Sequence, residues 1–345
     1  MTVKAYASLA NEKDLEPIEI KRRDICKDDI EIDIHYCGVC HSDIHHVQGD
    51  WGDAARPAVP GHEIVGVIKS MGSEVSEFSV GDKVGVGCMV DSCQTCNHCE
   101  DDLEQYCANG TQTYGSEDKI SGGHTMGGYS GKIVVSKNFV LKISDKLDFK
   151  KVAPLLCAGI TTYSPLKHWK IKKGDVVGVI GLGGLGHMGV KIASAMGAKV
   201  VMITTSESKR EDAKRLGADE VLISKDEKQM SKYQESFDFL LNTIPVKHDM
   251  NPYVDLLKPD CTMVLVGAIS DWEPLNGVPL ILRRKSIAGS LIGGIKETQD
   301  MLDFCAEKNI HPDIELLDIK QVNVAFSRIK KNDIKYRFVL DMKTL

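Results

Sequence analysis

Apolar and charged residues alternate with period two in Ile30-Glu31-Ile32-Asp33-Ile34, and the runs Glu63-Ile64-Val65-Gly66-Val67-Ile68 and Lys83-Val84-Gly85-Val86 follow between glycines. Short runs separated by many turns predict an irregular, mainly antiparallel β region over residues 1 to about 150. The pattern changes after Pro154. A helix is expected over 159–169, and then Asp175-Val176-Val177-Gly178-Val179-Ile180 reads as a strand buried on both faces. Helices over 190–196 and 209–216 alternate from there with strands over 199–205, 220–223, 237–241 and 262–266, and 286–291 supplies a sixth strand. That alternation predicts a doubly wound parallel sheet. Residues 336–340, Tyr-Arg-Phe-Val-Leu, form one more strand near the end of the chain. There is no internal repeat and no low-complexity stretch.

The chain has 345 residues, which at roughly 150 residues per domain suggests about two domains. Apolar residues make up 42% and charged residues 27%, a globular balance that argues against disordered or fibrous chains. A formal charge of −6 gives a polyanion such as nucleic acid net repulsion. No run of about 18 apolar residues occurs, and the first residues lack the apolar core of a signal peptide, so the expected setting is the cytoplasm, away from the membrane. Eleven cysteines are many for such a chain. In a reducing compartment their clustering points to metal binding or catalysis rather than disulfides.

Gly181-Leu182-Gly183-Gly184-Leu185-Gly186 fits G-x-G-x-x-G directly after a buried strand and before a helix. In that setting the helix N-terminus faces a dinucleotide pyrophosphate. Gly181 permits the tight turn, Gly183 keeps a Cβ away from the phosphates, and Gly186 allows close helix–strand packing. In an NAD site the next strand ends in Asp or Glu, which binds the ribose hydroxyls and repels a 2′-phosphate. Here Thr204-Thr205-Ser206 stand in that place and Lys209-Arg210 follow, so three hydroxyls and a cation point to NADP(H). Glu207 weakens that field, and the same residues also suit a plain turn and helix start.

Cys93, Cys96, Cys99 and Cys107 supply four thiolates from one loop, enough to close a tetrahedral zinc shell and leave no place for substrate. The Cys-Pro of bacterial ferredoxins is absent, which argues against an iron–sulfur cluster. Cys37-Gly38-Val39-Cys40-His41 satisfies the C-x-x-C-H haem pattern, but a cytochrome reading leaves the glycine loop and the four-cysteine lobe unexplained. Cys37, Cys26, Cys88, Cys261 and Cys305 are read as packed thiols without assigned chemistry.

Gly38-Val39-Cys40-His41-Ser42-Asp43, Pro60-Gly61-His62-Glu63, Ala153-Pro154-Leu155-Leu156-Cys157-Ala158-Gly159 and the glycine loop occur in an order that resembles the zinc-dependent medium-chain alcohol dehydrogenases over essentially the whole chain. Residues 154–166, Gly289-Ser290-Leu291-Ile292-Gly293 and Tyr336-Arg337-Phe338 are most similar to the cinnamyl alcohol dehydrogenase branch. The resemblance implies an α/β chain: a mainly antiparallel, GroES-like catalytic domain over 1–153 with a zinc lobe at about 91–109, an NADP-binding Rossmann domain over 154–292, and a return to the catalytic domain over 293–345.

By the same resemblance Cys40, His62 and Cys157 would hold a catalytic zinc, a second metal besides that of the lobe, with a fourth position open to water, alcohol or aldehyde. Glu63 would approach the metal and Asp43 would hold the His62 ring. Ser42 is similar to the family's relay hydroxyl and His45 to its proton exchanger, against the plainer readings of a turn hydrogen bond and a surface histidine. Thr161 joins the cofactor residues, and Trp51, Leu291 and Ile292 are expected in an apolar substrate pocket. Gln112 stands where plant lignin-pathway enzymes carry a bulky Trp, so phenylpropenyl aldehydes are acceptable substrates without being marked as the physiological ones. A homodimer is implied through the edge strand 286–292.

The function so implied is NADP(H)-dependent interconversion of primary aromatic or medium-chain alcohols and aldehydes. A polyol dehydrogenase of the same superfamily and a zinc-stabilised nucleotide sensor without turnover are the alternatives. Cys157 speaks against the first, and a count of two zincs per chain would speak against the second.

Overall fold

A computed structural model describes residues 1–11, 13–52, 54–267 and 271–345. The chain divides into two compact units, Met1–Cys157 with Gly293–Leu345, and Ala158–Ile292. The first unit also takes in residues 154–157, next to the boundary at 153 that the resemblance implies. The cause is the buried 3-10 turn Ala153–Leu156. Its Leu156 side chain lies so close to Gly85 that a Cβ there would come within 3.0 Å of it.

The first unit is built on strand Asp29–Val39, eleven residues long and almost wholly buried. It pairs antiparallel with Ile64–Met71, Lys132–Ser136 and Arg337–Asp341. Lys83–Val86 and Leu141–Lys142 extend the sheet on one side, and Ile314–Asp318, parallel to Arg337–Asp341, extends it on the other. Register decides what meets at the sheet's end. Cys37 lies opposite both Ile64 and Leu340, and Val39 opposite Phe338. Residue 40, which leaves the central strand, and residues 62–63, which enter its partner, therefore share one end of the sheet with Arg337.

Helix His41–Gln48 starts there. The Cys40 N–H donates to the Asp43 carboxylate at 2.8 Å, and Gly49 closes the helix in the left-handed conformation. Farther along, the short strands Met89–Asp91 and Thr111–Gln112 pair antiparallel and tie off the base of the four-cysteine lobe.

The second unit carries a parallel sheet in the order Glu220–Ile223, Lys199–Thr204, Val176–Ile180, Phe237–Asn242, Leu257–Leu265, Ser286–Gly289. Numbered within the unit this is 3-2-1-4-5-6, the doubly wound order, whose switch point lies between the first and fourth strands. Ile180, Val201, Ile203, Phe237, Leu240 and Met263 make a continuous core beneath it. Parallel strands covered on both faces explain why these segments read as unbroken apolar runs. No helix among the described residues is long and apolar enough to cross a membrane.

Candidate active site and metal centres

At the shared end of the first sheet, donor atoms of Cys40, His62, Glu63 and Cys157 all lie within 4.8 Å of one another. The Cys40 and Cys157 sulfurs are 3.9 Å apart. Cys157 arrives from the end of the buried 3-10 turn, 117 residues along the chain, which is why no spacing rule joins it to Cys40.

His62 is buried and its Nε2 has no hydrogen-bond partner among the described residues. An orphaned imidazole nitrogen beside two thiols is what a bound metal would satisfy, since a buried unpaired nitrogen is otherwise costly. The surrounding field is negative. Burial opposes positive charge on His62, but Cys88, Asp43 and Cys40 outweigh it and raise the histidine well above its ordinary range. The Cys40 thiol is held low, first by its hydrogen bond with Cys157, which is correspondingly held high. Two sulfurs, one imidazole and a nearby carboxylate fit zinc in its open, catalytic form.

Three details were not legible in the sequence. Glu63 is fully buried and paired with buried Arg337, while its Oε2 has no hydrogen-bond partner among the described residues. Burial pushes its pKa up to about 7, against the pull of Arg337. Cys88, given no role by sequence, lies beside Cys157, whose hydrogen bond lowers the Cys88 pKa. Asp43 is also placed differently from the expectation that it holds His62 directly. Its nearer oxygen is 3.7 Å from Nδ1, too far for a hydrogen bond, whereas the Tyr114 hydroxyl lies 3.1 Å from that nitrogen. The Asp43 carboxylate instead accepts from the backbone N–H groups of Cys40 and Gly61 and from the Tyr129 hydroxyl.

Ser42 Oγ lies 3.6 Å from the Cys40 sulfur. His45 Nδ1 is 2.7 Å from Asp50, and its ring lies against Trp51, which is 60% exposed. Cys37 is buried, with its thiol pushed well up first by burial.

The second cluster is Cys93, Cys96, Cys99 and Cys107, whose sulfurs also lie within 4.8 Å of one another. The Cys107–Cys93 distance is 3.4 Å and the Cys96–Cys99 distance 3.6 Å. Left-handed backbone at Gln94 and Asp102 folds this short segment back on itself.

In the second unit, Gly181 turns with φ of 92° and helix Gly186–Ala195 begins at the last loop glycine. A Cβ on Gly186 would strike the Gly181 carbonyl oxygen at 1.9 Å, so this glycine serves the loop itself, and the tight helix–strand contact falls at Gly189, against Leu241 and Val179. A Cβ on Gly183 would meet nothing within 4 Å. Nothing among the described residues therefore requires glycine at 183, whereas a phosphate over the helix N-terminus would.

Thr204 is buried at the end of its strand and Thr205 and Ser206 follow it outward. Lys209 reaches back to donate to the Leu182 carbonyl at 3.1 Å, joining the hydroxyl cluster to the glycine loop. Glu207 is occupied by Arg210, whose Nη2 donates to it at 2.9 Å, so its charge is partly spent. Thr161 is buried in helix Ala158–His168, Leu291 is exposed, and Ile292 closes the unit in the left-handed region.

The described residues thus combine a unit with two cysteine-containing groups that could each hold a metal ion and a unit with a doubly wound parallel sheet. Residues 26–145 match the alcohol dehydrogenase GroES-like domain family and residues 184–307 the zinc-binding dehydrogenase family. The chain belongs to the zinc-dependent medium-chain alcohol dehydrogenases. Within them it sits in the cinnamyl alcohol dehydrogenase-like branch.

It is 52% identical to aldehyde reductase YahK of Escherichia coli (strain K12), covering 100% of this chain and 99% of that protein. It is 48% identical to NADP-dependent alcohol dehydrogenase C 1 of Mycolicibacterium smegmatis, covering 100% and 99%. A cinnamyl alcohol dehydrogenase of Sorghum bicolor superposes with a TM-score of 0.96 at 41% identity, covering 99% of this chain and 98% of that one. The corresponding enzyme of Helicobacter pylori, complexed with NADP(H), gives 0.92 at 40% identity, with 99% of each chain covered.

Proposed function

We propose that this protein is an NADP(H)-dependent alcohol dehydrogenase working as an aldehyde reductase on aromatic or medium-chain substrates. The observation that carries the reading is the convergence of Cys40, His62 and Cys157 around a buried His62 Nε2 that has no hydrogen-bond partner among the described residues. Aldehyde reductase and NADP-dependent alcohol dehydrogenase activities in full-length relatives support it. Zinc held by Cys40, His62 and Cys157, when bound, supplies Lewis-acid stabilisation of negative charge on the substrate oxygen. A second zinc in the four-cysteine lobe would hold that loop's fold.

The chain's own residues supply the rest. Ser42, beside the Cys40 sulfur, would exchange a proton with the substrate oxygen. His45 is oriented by Asp50 through Nδ1, which leaves Nε2 to pass that proton on, and its partial exposure suits exchange with solvent. Gly181 to Gly186 would hold the pyrophosphate. Thr204, Thr205, Ser206 and Lys209 would take a 2′-phosphate, and Thr161 would contribute to the same cofactor. The H. pylori relative's complex with NADP(H) supports this choice. Exposed Trp51 beside His45 supports an apolar substrate.

A homodimer is part of the proposal. Val278, Ile281 and Leu282 stand exposed on helix Val278–Arg283, next to the sheet-edge strand Ser286–Gly289, and a second copy would cover both. Eleven free thiols suit the cytoplasm.

The test is kcat/KM for cinnamaldehyde, benzaldehyde and hexanal with NADPH and with NADH. Efficient reduction of apolar aldehydes with NADPH supports the reading. A strong preference for polyhydroxylated substrates or for NADH contradicts it.

A further inference from the structure

The nearest partner of the His62 ring is a tyrosine from another loop. Tyr114 OH lies 3.1 Å from Nδ1, and the two rings stack with centroids 5.5 Å apart and planes 26° from parallel. The loop holds Tyr114 from both sides. Before it, the Thr113 N–H donates to the Cys88 carbonyl at 3.0 Å and the Thr113 hydroxyl to the Gly87 carbonyl at 2.5 Å. After it, the Gly115 N–H donates to the Thr125 carbonyl at 3.0 Å. His46 packs against the Tyr114 ring, with centroids 4.8 Å apart, in space that a Cβ on Gly115 would fill.

Asp43 lies 3.7 Å from Nδ1, beyond hydrogen-bond reach. Its carboxylate already accepts from Cys40, Gly61 and Tyr129, three of roughly four acceptor positions. Those bonds fix the backbone on either side of the cluster. The Tyr114 hydroxyl sits in the Asp43 field, and after burial the Asp43 charge is the main cause keeping the phenol protonated. A histidine that binds metal through Nε2 carries its proton on Nδ1 and needs an acceptor there.

We propose that Tyr114 is a positioning residue: its hydroxyl accepts the His62 Nδ1–H and holds the ring with Nε2 turned to the metal position. The inference rests on the zinc reading of Cys40, His62 and Cys157. Tyr114→Phe removes one oxygen and keeps the ring packed between its neighbours. Zinc content and zinc affinity by chelator competition are to be measured on the holoenzyme and the variant, together with the visible absorption of cobalt-substituted protein and kcat and KM separately.

The expected result is a roughly 10- to 100-fold weaker hold on the catalytic-site zinc, an altered cobalt spectrum and a loss mainly in kcat, with the lobe zinc retained. Two zincs bound with unchanged affinity and an unchanged cobalt spectrum in Tyr114→Phe would overturn the role of Tyr114 alone. Wild-type protein holding zinc only at the lobe would overturn the zinc reading as well. Should the variant not fold, a zinc-loaded crystal structure decides: His62 Nδ1 bonded to Tyr114 supports the proposal, and Nδ1 bonded to Asp43 overturns it.

Discussion

Glu63 is paired with Arg337 from the last strand, 274 residues away, and both side chains are buried. The pair closes the sheet end at which Cys40 and His62 also lie. Space around it is tight, because a Cβ on Gly38 would come 1.8 Å from Glu63 Oε2. Removing one member of a buried ion pair strands the other, at a cost of about 3–5 kcal/mol. Arg337→Met is accordingly expected to lower stability in denaturant unfolding, by less than that amount near neutral pH, because Glu63, already pushed up to about 7, can neutralise itself by taking up a proton. The double variant Glu63→Gln/Arg337→Met should recover much of the loss, because no charge is left uncompensated.

The four-cysteine lobe has little apolar material of its own, and only Cys107 among its four sulfur residues is buried. A metal held by the four sulfurs would then contribute to its folding free energy. Cys99→Ala should lower the melting temperature and solubility before it affects turnover of the protein that remains folded. Differential scanning calorimetry and zinc counting check this, with one zinc fewer per chain expected.

Much of this was legible in the sequence. The second unit's strands, its glycine loop and the strand-end hydroxyls follow from local pattern, because buried parallel strands and tight βα turns leave a compositional mark within a few residues. The lobe was legible for the same reason. Cys40, His62 and Cys157 were reached only through resemblance, since they are brought together by strand register and a buried turn. Tyr114, Arg337 and the position of Cys88 carry no local signal at all. Tyr114 sits in a loop shaped by Gly115 and by hydrogen bonds to residues 87 and 88, and Arg337 reaches Glu63 only because its strand pairs beside the central one.

Cofactor choice turns on the end of strand Lys199–Thr204, where no carboxylate stands. Hydrogen bonds to a charged group contribute about 1.5–3 kcal/mol each, so one good contact to a 2′-phosphate favours NADPH by roughly 10- to 150-fold. Thr204→Asp should erode or invert that preference. Lys209→Ala should raise KM for NADPH far more than KM for NADH. Steady-state kinetics with both cofactors measures each effect, and equal use of NADH by the unmodified enzyme would refute the assignment.

His46 is depressed to about 4, first by burial and then by the nearby positive groups Arg56 and His124. Between that value and the ordinary histidine value of about 6.5 the unfolded chain binds the proton and the folded one does not. Stability therefore rises with pH across this window and is lost as pH falls through it. His46→Gln, neutral throughout, should flatten the part of the stability profile between about pH 6.5 and about pH 4. Melting temperature against pH for both proteins checks this, and parallel profiles would exclude the assignment.

In the proposed function, Cys40, His62 and Cys157 hold the metal on which aldehyde reduction depends, separately from the lobe. The most direct measurement is aldehyde-dependent NADPH oxidation paired with zinc counting, for the native enzyme before and after mild chelation and for His62→Ala. Two zincs per native chain, loss of one together with turnover on chelation, recovery on adding zinc, and a folded but inactive His62→Ala chain holding one zinc are expected. Near-normal aldehyde reduction by His62→Ala protein that retains only the lobe zinc would contradict it.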